Sequence, residues 1–128
     1  MNSIEIGGHT LSHPRLSNET LNIQESEIRD CKLNIEALIG KKIKSFSYPF
    51  GSSEDFSEQT VQIVKDSGYN CGIANIQAAV NDDTDVYKVP RRLVRNWTIP
   101  EFEKNLKIFF GKPHNWIDVI QSHFNQSS

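Results

Sequence analysis

Two histidines four residues apart, His9 and His13, follow Ile4, Ile6 and a Gly7-Gly8 pair near the start of the chain. A neutral imidazole nitrogen is a good ligand for first-row metals, and His-x-x-x-His is a common half of a zinc site. If Thr10 to Ser12 form one helical turn, the spacing puts both rings on one face, because residues four apart are neighbours on a helix. The other reading of the pair is plain hydrogen bonding to backbone at a turn. Pro14 stops any helix begun at His9, since the residue before proline avoids the helical region.

Further along lie Phe46-Ser47-Tyr48-Pro49-Phe50-Gly51 and Val89-Pro90-Arg91-Arg92-Leu93-Val94. Taken in order with Gly8-His9-Thr10-x-x-His13-Pro14, these strings resemble the polysaccharide deacetylase family, the NodB-homology carbohydrate esterases. The likeness runs from about Glu5 to Val94. It implies that His9 and His13 hold a divalent metal, most often Zn2+, and that Tyr48, Pro49, Phe50 and Gly51 form a substrate groove. It implies a glycan or N-acetylated sugar as substrate, with acetate and a free amine as products. In such enzymes the metal polarises the acetamide carbonyl and lowers the pKa of water. A carboxylate takes the water's proton and a backbone N–H stabilises the oxyanion. By motif matching that N–H belongs to Phe50, and Arg91 orients a carboxylate.

The departures matter too. Family members carry an Asp-Asp strand, with catalytic base and third metal ligand, before the histidine pair, and this chain has only eight residues there. Ser47 stands where an arginine is usual, and neither His114 nor His123 sits in the Leu-x-His motif that supplies a general acid. The expectation is therefore the later portion of one deacetylase domain over residues 1–128, weak or inactive by itself. The competing readings are a non-catalytic metal- or glycan-binding remnant and an assembly module.

The elements that must position these groups read as α/β. Ser3 to Ile6 is expected as a strand, Leu21 to Ile39 as an amphipathic helix with Ile28, Cys31, Ile35, Leu38 and Ile39 inward, and Gly40 ends it. Lys42 to Tyr48 alternates as a strand. Ser57 caps a helix over Glu58 to Asp66, and Tyr69 to Ala74 is a second strand. After a polar stretch with a turn at Asn81 to Asp83, Val86 to Val94 reads as a strand bent at Pro90. Thr98 to Glu101 is a capping box opening a helix to about Phe110, and Asn115 to Phe124 is a last helical piece. Alternating strands and helices imply a parallel sheet, here a partial (β/α) barrel of the deacetylase type with its front strands missing. Such an open edge invites self-association.

Composition narrows the remaining classes. The net charge of −2 offers no footprint for nucleic acid. No apolar run approaches the roughly 20 residues that span a bilayer, and no basic-then-apolar leader is visible at Met1. Cys31 and Cys71 are far apart and sit among apolar neighbours, which suits reduced, buried thiols. Trp97 and Trp116 suit core or interface packing, or stacking on a sugar.

Overall fold

The computed structural model describes residues 4–109. They fall into two compact units divided between Leu93 and Val94. The first unit runs through helix α1 (Leu21–Ile39), strand β1 (Ser45–Ser47), helix α2 (Glu58–Asp66), strand β2 (Cys71–Ala74) and strand β3 (Val89–Pro90), with a 3-10 turn at Leu16–Asn18 before α1. The strands form one parallel sheet in the order β1-β2-β3, with Phe46 opposite Gly72 and Ile73 opposite Val89. Gly8 adds a parallel bridge to Phe46 on the free side of β1, its N–H reaching Ser45 O and its carbonyl accepting from Ser47 N. Gly8, β1, β2 and β3 thus lie side by side in one direction, as the alternation of helix and strand required.

The expected strand at Ser3 to Ile6 does not form over the described residues 4–6, and pairing is confined to Gly8. At Gly7 and Gly8 the backbone comes close to its neighbours. A β-carbon on Gly7 would meet Ser45 Oγ at 2.6 Å, and one on Gly8 would meet Tyr69 Oη at 2.3 Å. Only glycine lets the backbone so near β1. The third strand is shorter than Val86 to Val94, because Pro90 has no N–H for the ladder. Its flanks still bond β2, through Gly72 N to Val86 O and Arg91 N to Ala74 O.

α1 buries Ile28 and Cys31 and leans Ile35 and Ile39 on the core, but Leu38 is 86% exposed. Leu38 thus does not face inward, a correction to the expectation. Gly40 ends the helix at φ 68°, where only glycine is unstrained. At the other end Thr20 is the cap residue, without a side-chain hydrogen bond. α2 opens on a reciprocal box between Ser57 and Thr60. Thr60 then donates its hydroxyl to Gln24 Oε1 at 2.7 Å, a buried polar link from α2 to α1.

The core joins Leu16, Ile28, Ile43, Phe46, Tyr48, Phe56, Val61, Val64, Tyr69 and Ala74. Tyr48 stacks on Phe56 with centroids 4.0 Å apart, and Phe46 meets both Tyr48 and Tyr69 edge-on or tilted. Both cysteines are free, Cys31 buried and Cys71 half-buried in β2.

In the second unit, α3 (Ile99–Phe109) begins at Thr98, whose N–H and hydroxyl both donate to Glu101. Trp97 lies near Phe102 and Phe109, an aromatic cluster within that unit. The expected end at Phe110 and Gly111, the Asn115 to Phe124 helix, Trp116, His114 and His123 lie outside the described residues. Among the described residues no helix is long and apolar enough to cross a membrane.

Candidate functional site

The segments after Gly8, β1, β2 and β3 carry His9 and His13, the Tyr48–Gly51 loop, Asn75 and Arg91 respectively. These are the carboxyl ends of adjacent parallel strands, where (β/α) barrels keep their chemistry.

The two imidazoles meet, with ring centroids 4.8 Å apart and planes at 66°. They do not meet by the expected helical turn. Thr10 has φ 66° and His13 φ 60°, so the segment is a tight irregular loop. Left-handed backbone at a non-glycine residue, and at a β-branched threonine above all, persists only where the surroundings hold it. Several bonds hold this one. Thr10 Oγ1 donates to His9 O at 2.5 Å and accepts from His13 N at 3.0 Å. From α1, Glu27 accepts from Leu11 N at 2.8 Å, Ser12 N at 2.9 Å and Ser12 Oγ at 2.6 Å. Burial works against the Glu27 carboxylate, but the hydrogen bonds from Ser12 and Leu11 outweigh it and hold the pKa below the ordinary range.

His9 Nδ1 lies 2.7 Å from Ser47 O. A carbonyl only accepts, so Nδ1 carries the proton and Nε2 of the neutral ring keeps its lone pair. This is the arrangement that orients metal-ligating histidines. The donor set fits half of a zinc site. Among the described residues no third histidine, cysteine or carboxylate joins the pair.

The loop after β1 places its residues unequally. Tyr48, expected in the substrate groove, is 1% exposed and donates its hydroxyl to Tyr87 O at 2.8 Å. Its side chain is core, so the loop's outward aromatic is Phe50, which is 52% exposed. Burial also pushes the Tyr48 phenol up, consistent with a neutral hydroxyl. Pro49 is buried, and Phe50 and Gly51 follow at φ 61° and 79°. Asn75 fixes this turn by donating N–H to Gly51 O at 2.7 Å and Nδ2 to Phe50 O at 2.5 Å. Phe50 N–H meets no acceptor among the described residues. The Phe50 ring packs edge-on to His13 at 4.8 Å and lies 5.6 Å from the Arg15 guanidinium carbon. Arg15 is tied in turn to the buried Asp55 at 2.9 Å.

Arg91 comes to the same end of the sheet but meets no carboxylate within salt-bridge distance among the described residues. Its Nε and Nη2 donate to Asn75 Oδ1 at 3.1 and 2.9 Å. Arg92 is half-buried. Sequence reasoning missed Glu27, Asn75 and Arg15. Nothing in their local spacing marks them, since each acts across elements. A cavity of about 350 Å³ lined by four isoleucines (4, 6, 39 and 43) together with Glu5 and three lysines (41, 42 and 44) lies away from this site and includes none of its residues.

Comparison with known proteins bears on the family and the fold. A sequence model of the polysaccharide deacetylase family matches residues 1–72. YxkH of Bacillus subtilis, assigned by name to the polysaccharide deacetylases, is 28% identical over 88 residues. That match takes in 69% of this chain and 30% of the relative, so the chain spans less than a third of its length. Among solved structures, the Streptococcus pyogenes deacetylase PplD, in complex with acetate, superposes with a TM-score of 0.66 at 20% identity, over 77% of this chain and 42% of that one. The polysaccharide deacetylase BC0361 of Bacillus cereus gives 0.63 at 21% identity, over 80% and 32%. At these identities the superpositions speak to fold, that of a partial deacetylase barrel. Sequence match and shared fold lead to one assignment: this chain belongs to the polysaccharide deacetylase family.

Proposed function

We propose that the chain forms the later part of a metal-dependent deacetylase acting on N-acetylated sugars of a glycan, with His9 and His13 as two metal ligands. The observation that carries this reading is the edge-on imidazole pair whose first member is fixed through Nδ1 by the Ser47 carbonyl. Zinc or a similar divalent ion bound there would supply Lewis-acid polarisation of the acetamide carbonyl and more acidic water.

The chain's own groups then take ordered roles. Water adds to the acetamide carbon, the C–N bond breaks, acetate leaves and the amine takes the proton. Phe50 N–H, with no protein acceptor among the described residues, is the donor for the oxyanion as the carbonyl becomes tetrahedral. Pro49, the left-handed Phe50–Gly51 pair and Asn75 hold that N–H before substrate arrives. The exposed Phe50 ring offers an apolar face to a sugar. Arg91 acts on the loop through Asn75. Among the described residues no carboxylate stands with the imidazoles to take the water's proton, which favours weak activity of this chain alone. The same observation supports the second reading, a metal- or glycan-binding unit without catalysis.

Calorimetric titration with zinc tests the site. About one equivalent is expected to bind, and to be lost in the His9→Ala/His13→Ala double variant. Uptake that the double variant retains would refute the assignment of these ligands.

A further inference from the structure

Among the described residues, the non-glycine positions in the left-handed region are Thr10, His13 and Phe50. Two of them bracket the loop that brings the imidazoles together. Such conformations cost of order 1–3 kcal/mol each and need outside support. Two of the N–H groups between those positions, those of Leu11 and Ser12, point to one side chain 15 or 16 residues away.

Resting on the metal reading above, we infer that Glu27 is the positioning residue of the metal loop: its carboxylate, reaching from α1, sets the backbone that makes His9 and His13 converge. The geometry is that of a clamp. One carboxylate oxygen takes both backbone N–H groups and the other takes the Ser12 hydroxyl, so a rigid helix dictates the loop's path. Thr10 finishes the turn inside that frame by bridging His9 O and His13 N. Among the described residues Glu27 makes no hydrogen bond to either imidazole and joins them in no metal-holding group, so it serves as no ligand. A flexible loop could also bring two histidines together, but only by losing conformational entropy on each binding event, which weakens affinity.

Zinc calorimetry on Glu27→Ala, Glu27→Gln and Glu27→Asp, beside Glu25→Ala as a control on the exposed side of α1, tests the clamp. Amide hydrogen exchange over residues 9–13 is measured in parallel. Glu27→Ala is expected to weaken zinc binding about 10–100-fold, the usual scale for outer-shell partners. Its Leu11 and Ser12 amides are expected to exchange faster. Glu27→Gln keeps an oxygen of the same reach and is expected to stay within about 3-fold of the parent. Glu27→Asp keeps charge and helix but withdraws the carboxylate, so it is expected to weaken binding at least about 5-fold. It carries the test if Glu27→Ala does not fold. Parent-like affinity and exchange in a folded Glu27→Ala or Glu27→Asp variant would overturn the clamp and leave the metal site standing. Absence of histidine-dependent uptake in the parent chain would overturn both.

Discussion

A β-carbon on Gly8 would lie 2.3 Å from Tyr69 Oη and 2.9 and 3.0 Å from two carbons of its ring. The ring is core and its hydroxyl donates to Ile28 O, so it has little freedom to retreat. Gly8→Ala is therefore an overpacking substitution, expected to destabilise by about 1–3 kcal/mol. Thermal melts should show a fall of at least about 4 °C, given roughly 4–8 °C per kcal/mol for a domain this small. Tyr69→Phe removes the closest atom, so in a double-mutant cycle the two changes should cost less together than their sum. Strict additivity would mean that the hydroxyl is not what the methyl group meets. The same scale shows what local sequence carries. That His9 and His13 come together was legible from residue type and spacing. The route to convergence was not, because a glutamate in a distant helix sets the backbone of Thr10 and His13. Tyr48 and Phe50 flank one proline and share aromatic character. Only packing against Phe56 and the bond to Tyr87 O separates the buried ring from the exposed one.

Helix limits were legible where a cap or a glycine marks them. Ser57 begins α2 and Gly40 ends α1, and these signals act within one turn. Strand limits were not, since pairing depends on partners dozens of residues away. The junction of α1 and β1 carries a prediction of its own. Glu36 accepts from Lys32 and, at 2.9 Å, from Lys42, and it also accepts the Ile43 N–H at 3.0 Å. Lys32 in turn donates to Ile43 O at 2.8 Å, so the pair fastens the end of α1 to the approach of β1. The hydrogen bonds from Lys32, then Lys42, lower the Glu36 pKa from 4.5 to about 2. A carboxyl whose pKa is lower folded than unfolded adds stability above its unfolded value and loses it as pH falls through the folded one. The window is thus about pH 4.5 down to about 2. Melting temperature should drop across it in the parent chain, and less steeply in Glu36→Gln, which has no proton to gain. Parallel curves for the two proteins would remove Glu36 from the acid response.

At the scale of the whole molecule, the parallel α/β plan was readable because each helix or strand signal is local and their alternation leaves few arrangements. The site was readable only in part, since it is assembled from the Gly8 bridge and three strand ends, whose mutual contacts no short window contains. Its location within the chain leads to a last prediction. Among the described residues, the hydrophobic core lies between Leu16 and Ala74, and the partly buried residues packed on it reach to Tyr87. The His9–His13 loop, Glu27, the Phe50 turn, Asn75 and Arg91 all precede Leu93 as well, whereas α3 has no buried residue. Burial of apolar surface is the dominant stabilising contribution, and a chain ending at Leu93 keeps every described residue of that core. It should melt cooperatively within about 8 °C of the parent, corresponding to a loss of no more than about 1–2 kcal/mol. It should also take up zinc with parent-like, histidine-dependent affinity. A broad, non-cooperative melt would mean that residues beyond Leu93 complete the core. A cooperative melt without zinc uptake would mean instead that the fold survives but the metal loop needs a group from that later segment.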